Sequence, residues 1–148
     1  MLLVVSPGLA AFKGGEPERW GGLIILGMWA VQSVGAFMLP SRYTVVDPVA
    51  FLCDLVGTIG FSIIAVNARR VWPLWAAALQ LLSLSAHFAR WADLAIPSIV
   101  YALMRDGPTF FAMVALLAGT VGHIVRMRRK GEDSAWQTWG TSSPASDR

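Results

Sequence analysis

The sequence predicts an all-α integral membrane protein: a four-transmembrane-helix bundle with a short amphipathic outer-loop helix between spans three and four. Three observations predict it. Charge is excluded from four long windows. Arg19 and Arg42 bracket 22 uncharged residues, Asp47 and Arg69 bracket 21 with Asp54 the one charge, and the pairs Arg70/Arg90 and Asp106/Arg126 each bracket 19 with none. Each window matches the roughly 20 helical residues that cross a hydrocarbon core of about 30 Å, and is too long for the strands of a membrane barrel. The composition agrees: 55% hydrophobic, 14% charged, mean hydropathy +0.57, where a soluble domain carries about a quarter charged residues.

Residues 1–19 form an N-terminal segment on the cytoplasmic side, with Leu2 to Phe12 at the interface and a break at Gly14-Gly15-Glu16-Pro17. Its start lacks the basic and long apolar regions of a cleaved signal peptide. The membrane domain covers 20–127. Its first span, 20–39, opens on Pro17 and Glu18, a proline tolerated in a first helical turn and an acid that suits the helix dipole, and stops at Pro40. The second, 48–66, starts at Asp47-Pro48, a capping aspartate followed by an N1 proline. Asn67-Ala68-Arg69-Arg70 is a tight turn into the third span, 71–89, where Pro73 falls in the first turn at little cost. Ile99, Val100, Leu103 and Met104 after Pro97 give an amphipathic helix over about 97–105, too short to span and expected at the outer interface. Asp106-Gly107-Pro108 ends it and starts the fourth span, 108–126. Residues 128–148 form a polar cytoplasmic tail; its tryptophans, Trp136 and Trp139, are placed to dock on the membrane surface or on a partner.

Four spans put both termini on one side. The N-terminal segment, the loop at Arg69 and Arg70, and the tail hold nine of the twelve Lys and Arg; the other two loops hold Arg42, Arg90 and Arg105. The positive-inside rule then makes both termini cytoplasmic. Under this reading the net charge of +3 serves topology and anionic lipid, and no nucleic acid is expected as a partner.

Burial does not drive helices together in lipid; close packing of small residues and interhelical hydrogen bonds do. Gly57 and Gly60 on the second span, and Ala115, Gly119 and Gly122 on the fourth, are the expected helix-packing residues. Whether they pack only this bundle or also a second copy is left open by the sequence.

The candidate polar site lies on the third span. Gln80, Ser83, His87 and Arg90 follow at steps of three, four and three, and so share one helical face. Folding the hairpin about Arg69 brings Asp54, 15 residues before it, level with Leu84, 15 after it, between Ser83 and His87. A charge at that depth costs a few kcal/mol on insertion scales, so Asp54 is expected to be protonated or paired, with His87 and Arg90 the nearest basic groups. The cluster is either a proton- or ligand-binding site open to the outer face, or polar glue that fixes helix register. His87 and His123 fall near opposite ends of their spans, which argues against a shared haem. No cofactor is implied, and the single cysteine, Cys53, allows neither a disulfide nor a cysteine-based metal site within one chain. Phosphate-loop, dinucleotide, zinc-hydrolase and serine-hydrolase motifs are missing, and nothing marks an enzyme.

The run from Arg70 through Leu82 and the segment from Ala86 to Arg90 resemble small four-span inner-membrane proteins of Gram-negative bacteria. The resemblance covers about one seventh of the chain. It implies topology and a bacterial inner membrane, and implies no activity. The expected function is therefore that of a structural or accessory subunit that binds another membrane protein or itself. The alternative is a small-molecule or proton-binding membrane protein that uses Asp54, Gln80, Ser83, His87 and Arg90.

Overall fold

The structure is a computed structural model that describes residues 2–38, 46–92, 95–131 and 136–137. Among these the chain forms five helices: α1 (Leu2–Lys13), α2 (Glu16–Met38), α3 (Pro48–Asn67), α4 (Trp72–Ala92) and α5 (Ser98–Lys130). Three of them, α2, α3 and α5, are long and apolar enough to cross a membrane. The fourth expected span, α4, is 21 residues long but is not one of the three, because Gln80, Ser83, Ser85, His87 and Arg90 lower its hydropathy. The expected stop at Pro40 and Trp139 in the tail lie outside the described residues.

Local chemistry explains the helix ends. Asp47 caps α3, accepting from the amides of Val49 at 2.9 Å and Ala50 at 3.3 Å, with Pro48 at the first position. Gly131, at φ 74°, ends α5 in the left-handed conformation and returns its amide to the Met127 carbonyl, the usual glycine stop. The turn after α3 is pinned by the tail: the Gln137 amide donates to the Asn67 carbonyl at 2.8 Å, and the Trp136 indole N–H donates to Glu16.

Two segments differ from the sequence reading. The outer-loop helix expected at 97–105 is the first part of α5, which runs without interruption through Gly107 and Pro108. Proline inside a helix removes one backbone bond and crowds the carbonyl four residues back, yet a helix packed on both sides of the proline, from Tyr101 to Thr120, tolerates it. Continuity also decides which face is inward. Tyr101, Pro108 and Ala112 are buried, whereas Ile99 and Leu103, on the face read as apolar and interfacial, are 77% and 72% exposed. The second difference is α1. It does not lie outside the bundle but packs against α2 and α5. Its Ser6 hydroxyl, fully buried, donates to the Met113 carbonyl at 2.8 Å. Gly22 lets α1 approach this closely, since a Cβ there would lie 2.9 Å from the Pro7 carbonyl oxygen.

The helices gather Arg69, Arg70, Arg126 and the last turn of α5 at one end, here the basic end; Arg90 and Tyr101 lie toward the other. α4 packs between α3 and α5, and α2 against α3. The apolar core holds Ile25, Phe61, Ala76, Ala112, Met113 and Leu116. The polarity is otherwise inverted: Asp54, Gln80, Ser83, His87, Glu18 and Thr120 are buried, while Leu52, Ile59, Ile63, Trp75, Leu82 and Phe111 are more than half exposed.

Candidate functional site

Asp54 sits on the inward face of α3 and is 2% exposed. Three side chains of α4 surround its carboxyl. Gln80 Nε2 donates to Oδ1 at 2.7 Å, Ser83 Oγ lies 2.8 Å from Oδ2, and His87 Nε2 lies 3.0 Å from the same Oδ2. The steps of three and four along α4 put these groups on one face, and the short turn at Ala68 sets the register. The structure therefore brings Asp54, Gln80, Ser83 and His87 together. Arg90, also buried, reaches past them: it donates to the Ile96 carbonyl, and its guanidinium lies 5.7 Å over the Tyr101 ring.

Tyr101 is the member that the sequence reading missed. Its hydroxyl is 2.8 Å from His87 Nδ1, so the imidazole is held from both sides, with Phe51 edge-on at 5.6 Å. The signal was available: Tyr101, Arg105, Pro108 and Ala112 repeat at steps of four, three and four, a helical stripe that is visible only if the helix is carried through Pro108.

Proton accounting shows what the arrangement can do. Ser83 has one hydroxyl proton and two neighbours that accept, Asp54 Oδ2 and the Arg105 carbonyl oxygen at 2.6 Å. With Asp54 ionised, Ser83 donates to the carboxylate, and His87 donates through Nε2. With a proton on Asp54, the carboxyl donates to Ser83 Oγ, which donates on to Arg105. The two patterns use the same heavy-atom positions and differ by one proton. One atom stands outside both: Gln80 Oε1 is buried with no hydrogen-bond partner among the described residues.

Asp54 also lines a cavity of about 420 Å³ between α2, α3 and α5. Ile25, Met28, Trp29, Phe110 and Met113 form its apolar walls, with Gln32, Arg105, Asp106 and Thr109 the polar groups. Arg105 is held by Asp106 at 2.8 Å. Among the described residues no group of three His, Cys, Asp or Glu side chains is placed to hold a metal ion.

A second buried acid lies at the basic end. Glu18, read from the sequence as a dipole-matching residue of a first turn, is fully buried. Its Oε1 accepts from the Trp72 indole at 2.9 Å and lies 3.6 Å from Arg70 Nε. His123 is here as well: a Cβ built on Gly15 would come within about 3 Å of both Glu18 Oε2 and the His123 ring. His123 and the His87 partner Tyr101 are thus 22 positions apart on one helix, about 33 Å at 1.5 Å per residue, so the two histidines share no site.

Of the expected packing residues, Gly57 faces Met28 and Gln80, Gly60 faces Ile24, and Gly119 faces the Trp72 indole, each so near that a Cβ would clash. Ala115 lies beside Trp72 and Trp75 at a second cavity. Gly122 meets no other helix at that range; what a Cβ there would touch is Arg126 of its own helix, at 3.2 Å. Compared with models of protein families, with curated proteins and with solved structures, the chain matches none.

Proposed function

We propose that this chain is a four-span protein of the bacterial inner membrane, both termini cytoplasmic, that binds a small amphipathic molecule in the cavity beside Asp54 with the Asp54–His87 pair carrying a proton. The observation that carries the reading is a carboxyl that is almost fully buried, held by three side chains, and still part of a cavity wall. An ionisable group inside a membrane bundle marks a functional site by default. Asp54 is an acceptor in the cavity wall, so a ligand with a hydroxyl or amine head and an apolar body fits beside the walls of Trp29, Met28 and Phe110.

The membrane part of the proposal draws on the inverted polarity of the bundle. α4 counts as the fourth span because it returns antiparallel between α3 and α5, and its 21 residues reach about 31 Å. Its polar face is turned inward, as a polar stripe in lipid must be. The basic end holds most of the Lys and Arg and faces the cytoplasm, which puts Asp54 in the outer half.

The test is native mass spectrometry of the tagged chain taken from its own membranes in mild detergent. A bound small molecule that is retained by the wild type and lost in Asp54→Asn, with the fold intact, supports the reading. A chain recovered without any such mass, and unaffected by the substitution, sinks it.

A second reading, a structural or accessory subunit, draws on α2. From Trp29 to Met38 every residue of this helix but Gln32 and Gly35 is exposed among the described residues, which leaves much of this half open to a partner. Recovery with other subunits in fixed proportion in the same experiment would favour this reading.

A further inference from the structure

At the basic end a cavity of about 390 Å³ opens between α4 and α5, lined by Arg69, Arg70 and Arg126 together with Trp72, Trp75 and the small residues Ala115, Ala118 and Gly119. We propose that it is a binding site for one anionic phospholipid, its phosphate held by the arginines and an acyl chain lying along the small-residue furrow of α5. The inference rests on the membrane reading above.

Three features carry it. Charge comes first: three arginines converge on one cavity, with the Glu18 carboxylate 3.6 Å from Arg70 behind it. Second is the direction of Arg126. Side chains on a helix tilt toward its N-terminus, and the Arg126 guanidinium lies back over Gly122, one turn deeper than its own backbone. A glycine at 122 leaves the room for this. Third is what bounds the cavity. Val71 and Trp75 are 68% and 65% exposed, so it opens onto the apolar surface that faces lipid, at the depth of a headgroup. A basic pocket between membrane helices on the cytoplasmic side is the setting in which anionic headgroups bind. A soluble phosphate would meet the same arginines but make no use of the furrow.

The test uses the full chain, purified in mild detergent and titrated with phosphatidylglycerol, with phosphatidylcholine of the same acyl chains, or with inorganic phosphate, and followed by native mass spectrometry. Phosphatidylglycerol is expected to be retained in preference to phosphatidylcholine. Each arginine near a membrane surface contributes about fivefold in affinity, so Arg126→Gln and Arg69→Gln should each weaken retention by about that factor. Gly122→Leu keeps every charge but crowds the guanidinium, and should weaken it too. Arg128→Gln, on an exposed position of α5 outside the cavity, should change it less. Equal retention of the two lipids, or equal loss in Arg128→Gln, would overturn the proposal. Saturable phosphate binding without a lipid preference would overturn it in favour of a soluble anion. Failure of the chain to sediment with membranes would overturn the membrane reading itself, and is scored separately by fractionation.

Discussion

His87 Nε2 stands 3.0 Å from Asp54 Oδ2, across 33 positions of sequence. The contact joins α3 to α4, and Tyr101 on the far side of the imidazole extends it to α5. A polar chain thus links three helices, and the Ser83 hydroxyl beside the Arg105 carbonyl joins α4 to α5 a second time. In lipid, where burial gives helices little reason to associate, such a link fixes which faces meet.

Removing the carboxyl should loosen all three helices at once. Asp54→Ala deletes three interhelical hydrogen bonds, each worth about 0.6 kcal/mol on average in a membrane, so a loss of about 2 kcal/mol is expected. Asp54→Asn keeps the shape and part of the bonding and should cost less than half as much. Unfolding of the purified protein by SDS in mixed micelles measures both; equal stability of wild type and Asp54→Ala would contradict the network.

The inward face of α5 is tested by a pair of truncations two residues apart. Tyr101 is 1% exposed and Leu103 is 72% exposed. Tyr101→Ala should destabilise by about 3 kcal/mol, as for a buried aromatic, and Leu103→Ala by less than about 0.5 kcal/mol, as for a surface site. If α5 were broken at Gly107-Pro108 with 97–105 free at the interface, the two would behave alike.

Two glycines make opposite forecasts. A Cβ on Gly119 would run into the Trp72 indole, while one on Gly27 would touch nothing within 4 Å. Gly119→Ala should cost about 1–3 kcal/mol through overpacking and shift tryptophan emission. Gly27→Ala should stabilise α2 by up to about 1 kcal/mol, the helical preference for alanine. The same micelle titration with fluorescence detection checks the signs.

Glu18 lies 3.6 Å from the largely covered Arg70 side chain, and its loss would remove that counter-charge. Glu18→Ala should destabilise by about 3 kcal/mol, the range for a buried pair with one side removed. Glu18→Gln, which still accepts from the Trp72 indole, should recover part of this. A stability for Glu18→Ala equal to that of the wild type would show that Glu18 does not hold the basic end together.

How much of this could be read beforehand follows from what each signal depends on. Asp54 and His87 were legible because a two-helix hairpin with a short turn has one register, and counting from Arg69 gives the depth. Tyr101 was hidden by Pro108: proline next to glycine is a common helix boundary, and packing on both sides of it, from Tyr101 to Thr120 of α5, overrides it. Glu18 was hidden for another reason. Its place in a first turn explains an acid without any tertiary contact, so nothing in the local pattern announced that Trp72, 54 positions away, would cover it. Gly122 joins the packing stripe in sequence because small residues at steps of three and four look the same whether they admit a neighbouring helix or, as Arg126 does here, a folded-back side chain.

The Ser6–Met113 bond closes 107 positions of chain, and this bears on the order of assembly. During synthesis at about 5–20 residues per second, roughly 5–20 s separate the two partners. Throughout that interval α1 can meet α2, but the α5 half of its seat does not yet exist. The Ser6–Met113 bond therefore closes only once α5 has been made, however early α1 pairs with α2.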